Sequence, residues 1–214
     1  ADRGDAVSVE RSSFPKPFTD SIAPYEEQIV RRKLTELLLK YVAKTDFVVN
    51  VKFSLIEKNE KTENAPPSAS NIKMAINLLL DDTVLPSVDT FLKEAVPLAI
   101  NFDAERGDAL KIIRKRFPER SVDSIPPEQR TALKDYRLKI LEAFQTGDYV
   151  SGLEWAEKGL KVAVKRADKI FILKMKGSLH FLLEEKEEAL EMWRHVQRLD
   201  PKDKEVRQML NNLE

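Results

Sequence analysis

Two histidines, His180 and His195, fall on the two helices of one predicted hairpin, the arrangement that a metal site or an acid–base pair would use. Asp81-Asp82 and Asp103 with Glu105 offer the paired carboxylates that general acid–base catalysis needs. Both acidic groups lie in predicted turns, where carboxylates accept backbone amides without doing chemistry, and the histidines read as structural or exposed. Two basic groups, Arg114-Lys115-Arg116 with Arg120 and the series Lys161, Lys165, Arg166, Lys169, have the charge to hold phosphate or an acidic partner. They are expected to be a solvated strand end and a solvated helix face.

The chain contains no glycine-rich phosphate loop, nucleophile elbow or zinc-ligand spacing, and only 6 glycines. Without cysteine it has no disulfide, thiolate nucleophile or cysteine-bound zinc. The expectation is a protein that is not an enzyme, with no catalytic residue, metal or cofactor. Lys+Arg and Asp+Glu both number 36, so no global field draws it to nucleic acid. No apolar run approaches the roughly 20 residues of a membrane span. The chain opens Ala1-Asp2-Arg3, which suits a mature end left by signal-peptide cleavage and a trimmed chain equally.

Residues 1–24, with Pro15, Pro17 and Pro24, read as an extended lead-in. From Tyr25 to about Lys44, Ile29, Val30, Leu34, Leu37, Leu38, Tyr41 and Val42 recur at helical spacing. Phe47, Val49, Val51, Phe53 and Leu55 then alternate with mostly polar residues, as do Ile72, Met74, Ile76, Leu78 and Leu80. These are two strands with a covered side, expected to pair. Pro86-Ser87 opens a second helix, which Pro97 should kink or shorten, and Asp108 to Ile113 is a short edge strand. Residues 25–117 thus form an α+β domain in the order helix, strand, strand, helix, strand, with a three-stranded sheet. Residues 118–127 are a linker, and residues 128–214 are all helical.

The segment Ile72 to Asp82, a helix, and then Asn101-Phe102-Asp103-Ala104-Glu105-Arg106-Gly107-Asp108 before a final strand resembles the ring-building motif of the flagellar MS-ring and type III secretion inner-ring proteins. The resemblance covers about residues 25–116. Asp103, Arg106, Gly107 and Asp108 form its most specific part, read here as a structural turn in which Gly107 takes positive φ and the acids accept amides. Pro97 and the missing membrane helix imply a relative or accessory of the ring protein.

Farther on, Gly177, Ala189, Trp193 and Pro201 stand at the spacing of a tetratricopeptide repeat, and Gly147 and Tyr149 suggest a weaker repeat before it. In such repeats small residues let the helices approach, and the aromatics are expected to fill the space between hairpins. This second resemblance covers about residues 129–214. It implies a groove for protein partners, with Tyr136, Lys139, Lys174 and Lys176 as its lining residues.

Together the resemblances imply a structural or assembly protein of a flagellar or related secretion apparatus, periplasmic or otherwise extracytoplasmic, acting through self-association or other protein partners. The alternative is a monomeric adaptor that binds a protein or peptide in the repeat groove, with a cytoplasmic location as the alternative compartment.

Overall fold

The computed structural model describes residues 19–55, 72–119, 121 and 124–213. Helix α1 (Thr19–Leu38) precedes the strands β1 (Phe47–Leu55) and β2 (Ile72–Asp81). Helix α2 (Ser87–Ala99) and strand β3 (Ala109–Lys115) complete an α+β domain. The sheet is mixed, in the order β1-β2-β3, with β1 antiparallel and β3 parallel to β2.

Register sorts the side chains as the alternation requires. Phe47, Val49, Val51 and Phe53 stand opposite Leu80, Leu78, Ile76 and Met74, and Leu110 and Ile112 continue two of these rows. This face is buried with Leu34 and Leu38 of α1 and Leu92 and Val96 of α2, so both helices cover the same side. The opposite face carries exposed Asn50, Lys52, Ser54, Lys73, Lys111 and Lys115.

Element boundaries differ from expectation at several places, β3 running to Lys115 and not Ile113, and α1 shifting at both ends. Helix α1 begins at Thr19, taking in residues 19–24 of the expected lead-in, and Pro24 lies inside it. Proline removes its own amide donor and crowds the preceding turn, and as the sixth residue of α1 Pro24 lies just past the first turn, so the helix forgoes one backbone hydrogen bond there. At the other end α1 stops at Leu38, and a turn closed by the Val42 amide on the Leu38 carbonyl (2.8 Å) replaces the expected last helical turn. The expected kink in α2 takes the form of an early stop, two residues past Pro97.

Helices α3 (Pro127–Thr146), α4 (Tyr149–Val162), α5 (Arg166–Leu182), α6 (Lys186–Leu199) and α7 (Lys204–Asn211) form the second part. Consecutive helices pack as two hairpins, α3/α4 and α5/α6, with α7 closing the end. Pro127 begins α3 at a position where its missing amide has no helical partner to lose. Gly147 caps α3 at φ +80, and Asp148 caps α4 by accepting the Ser151 amide. Asp203 caps α7 by accepting the Glu205 and Val206 amides. Among the described residues no helix is long and apolar enough to cross a membrane.

Of the described glycines, Gly177 leaves the least room: a Cβ there would lie 2.5 Å from Trp193 Nε1 and 2.7 Å from its Cδ1. Gly→Ala in a helix ordinarily gains up to about 1 kcal/mol. Gly177→Ala is expected instead to lose roughly 1–3 kcal/mol, because the indole has to be displaced from a packed core. Chemical denaturation measures this directly, and a gain in stability would refute the close approach.

Candidate functional site

Loop and helix residues far apart in sequence converge where the two parts of the molecule meet. The β2–α2 loop is the docking element. Asp82 pairs with Arg166 of α5 at 2.6 Å, the Thr83 carbonyl accepts from His195 Nε2 at 3.0 Å, and the Ser87 amide donates to Glu191 at 3.3 Å. Leu85 packs into the apolar cluster of α5 and α6. At the centre, Lys169 Nζ lies 2.6 Å from Asp46 Oδ1 and 3.3 Å from Thr83 Oγ1. Both members of that ion pair are buried.

The electrostatics follow from these partners. Burial pushes the Asp46 carboxyl up, and although the Lys169 ammonium and the Thr45 hydroxyl pull it back, its pKa stays above the ordinary value. Burial also acts on Asp81, but hydrogen bonds from the Thr83 hydroxyl and amide and from the Phe117 amide outweigh it, leaving the pKa low. His195 is held neutral by burial, with the charges of Arg198 and Arg114 adding to that effect, so its Nε2–H donates to Thr83 and its Nδ1 faces Arg198.

Beside Asp46 and Lys169 opens a cavity of ≈ 170 Å³ between the two parts. Its walls are apolar residues such as Val88, Leu160 and Leu173, and its polar lining includes Lys40, Lys161 and Lys176.

The Asp103–Asp108 turn is a structural latch. Gly107 has φ +91, and Asp103 Oδ1 accepts the Glu105 and Arg106 amides. Asp108 accepts the Asp103 amide (2.9 Å), the Met74 amide (2.7 Å) and the Arg106 guanidinium. Burial alone would raise the Asp108 pKa, but Arg106 and the two amides hold it below the usual carboxylate range.

The four residues expected to line one groove do not share a face. Tyr136 stacks on Trp155 with centroids 5.9 Å apart, and Lys139 Nζ sits 4.1 Å from the Trp155 centroid. Lys174 instead binds Asp203 (2.9 Å) and Glu205 (2.5 Å) at the start of α7, whereas Lys176 reaches Glu157 of α4 (3.3 Å). Residues two apart on a helix point to nearly opposite sides, which separates Lys174 from Lys176.

The repeat-packing residues meet their closest aromatic and glycine neighbours within one hairpin. Trp193 lies against Gly177 and Phe181 of its own hairpin, and Tyr149 meets Phe144 edge-on across the Gly147 turn. Both also belong to apolar clusters that draw on the neighbouring hairpin, Tyr149 with Ile172 and Leu179 of α5 and Trp193 with Leu160 of α4. Ala189 is fully buried, and α6 ends at Leu199, two residues before Pro201.

The two histidines have separate partners. His180 Nδ1 meets Glu185 at 2.6 Å, and among the described residues no cluster of His, Asp and Glu could hold a metal ion. Lys169 and Arg166, expected on a solvated helix face, lie in the junction, Lys169 buried and Arg166 half-buried, because a lysine and an arginine can reach acids on another domain. Arg114, expected at a solvated strand end, follows Leu110 and Ile112 on the helix-covered face. There it binds Asp89 at 2.8 Å and the carbonyls of Val84 and Leu85.

No protein-family model matches this chain, and no curated protein matches it at a significant level.

His195 makes the junction sensitive to pH. Its folded-state pKa lies below the unfolded value of about 6.5, so its stabilising effect is complete above that value and drains away as pH falls through the folded-state pKa. His195→Gln keeps a donor for the Thr83 carbonyl without a titrating ring. Thermal unfolding at about pH 7.5 and about pH 5.5 should show a smaller acid-induced loss in this variant than in the wild type. Equal losses would remove His195 as the cause.

Proposed function

We propose that this chain is a structural assembly protein, without catalytic function, that works through protein–protein packing. The observation that carries this reading is that apolar side chains stand exposed on opposite sides of the α+β domain, with nothing among the described residues covering them. On the free sheet face Val48, Leu79 and Ile113 stand in one row across all three strands, with Val48 51% exposed. On the outside of the helical layer Leu98 is 88% exposed, opposite the buried side of α2. A contact between one copy's sheet face and the next copy's helix face is heterologous, and such contacts build rings or open filaments.

This agrees with the resemblance to the ring-building motif of flagellar MS-ring and secretion inner-ring proteins, and we read the domain as a relative or accessory of that family. An extracytoplasmic site of action in a flagellar or related secretion apparatus belongs to the same reading. We read α3–α6 as two tetratricopeptide-type hairpins capped by α7. That reading is supported by Gly177 beneath Trp193, by buried Ala189, and by Pro201 just beyond α6.

Solution mass measured over a range of protein concentrations tests the assembly reading. The wild type should increase in mass with concentration, and Val48→Asp and Leu98→Glu should each stay monomeric with unchanged circular dichroism. A wild type that remains monomeric throughout would favour the monomeric adaptor.

A further inference from the structure

Four lysines near the junction have no acidic partner among the described residues: Lys139 of α3, Lys158 and Lys161 of α4, and Lys40 after α1. All four are exposed. They form a continuous strip. Lys139 and Lys158 each hold their ammonium 4.1 Å from the centroid of the Trp155 ring, on which Tyr136 stacks. Lys158 and Lys161 are neighbours one helical turn apart. Lys161 and Lys40 line the same ≈ 170 Å³ cavity between the two parts of the molecule.

A chain with no net charge thus gathers four unneutralised cations along one track. The lysines beside this track are by contrast paired with acids: Lys169 with Asp46, and Lys176 with Glu157. Mutual repulsion along the track costs energy that an anionic ligand would relieve. The two ends of the track define the ligand further. At one end a half-buried tryptophan offers a flat contact, and at the other the cavity offers Val88, Leu160 and Leu173, with room for one large side chain.

We propose that this strip is a docking track for an acidic peptide segment of a partner protein, whose carboxylates meet Lys139, Lys158 and Lys161 and whose apolar side chain enters the cavity beside Lys40. The apolar walls decide for a peptide over a nucleic-acid backbone, since a phosphodiester has no group to place there. The track deepens the assembly reading by giving the chemistry of one partner, and it does not depend on self-association.

Trp155 and Trp193 are the only tryptophans, and Trp193 is buried, so fluorescence reports on the track. The probe is a short synthetic peptide of glutamates around one central leucine, titrated into the full chain. The expected result is a saturable fluorescence change that disappears in Trp155→Phe and weakens with added salt. Affinity should fall about tenfold or more in the Lys158→Glu/Lys161→Glu variant. Replacing the leucine of the peptide by glycine should weaken binding as well.

Unchanged circular dichroism and solution mass in the double variant would separate loss of the track from loss of fold or of self-assembly. The proposal is overturned by the absence of saturable binding, by equal binding in the charge-reversed variant, or by a response that survives in Trp155→Phe. Binding of single-stranded DNA as tight as that of the peptide would also overturn it.

Discussion

A buried ion pair between Lys169 of α5 and Asp46, just before β1, fixes how the two parts of this molecule sit together. Taking both charges out of water costs several kcal/mol, and their attraction in the interior offsets this only when the geometry is good and the remaining polar atoms are satisfied. Here the Thr45 hydroxyl donates to Asp46, Lys169 reaches Thr83 as well, and no buried side-chain polar atom among the described residues lacks a partner. Removing one member would strand the other, at about 3–5 kcal/mol. Its main effect is therefore specificity of orientation: only one docking geometry brings the ammonium to the carboxylate. The Asp82–Arg166 pair and the His195–Thr83 bond then close on either side.

The cavity and the lysine strip follow from that orientation. Lys40 and Asp46 come from the α+β domain, Lys161 and Leu173 from the helices, and they share one cavity only because the junction holds both surfaces in place. Elsewhere a carboxylate gathers backbone amides and one cation, at the Asp103–Asp108 turn and at the start of α7. Asp81, Asp108 and Asp203 all have lowered pKa values because hydrogen bonding outweighs burial. Their stabilisation is present above the ordinary carboxylate pKa and is lost as pH falls through their folded-state values. Asp46, with its pKa raised, works in the opposite sense.

Much of the fold was legible in the sequence because its signals are local. Alternation at Phe47 to Phe53 and at Met74 to Leu80 marks two covered strands, and Gly107 and Gly147 mark turns that need positive φ. The junction was not legible. Asp46 and Lys169 are separated by most of the chain, and a lysine buried against a distant acid has the same local pattern as one on a solvated face. The expected groove failed for a related reason: Lys174 and Lys176 look alike in sequence, but each is already claimed by an acid that only the packing brings near. Tyr136 and Lys139 did fall together, around a tryptophan that sequence reasoning passed over. A half-apolar ring on a helix face carries no signal until the lysines of the facing helix are known.

The central claim is that the buried pair locks the two parts into one body. The chain has no cysteine, so spin labels can be placed at will on exposed positions, one at Lys52 on the free sheet face and one at Glu187 on α6. Pulsed electron–electron resonance should give a single narrow distance distribution for this pair, which broadens when Lys169 is replaced by alanine. A broad or multimodal distribution with Lys169 in place would contradict the account.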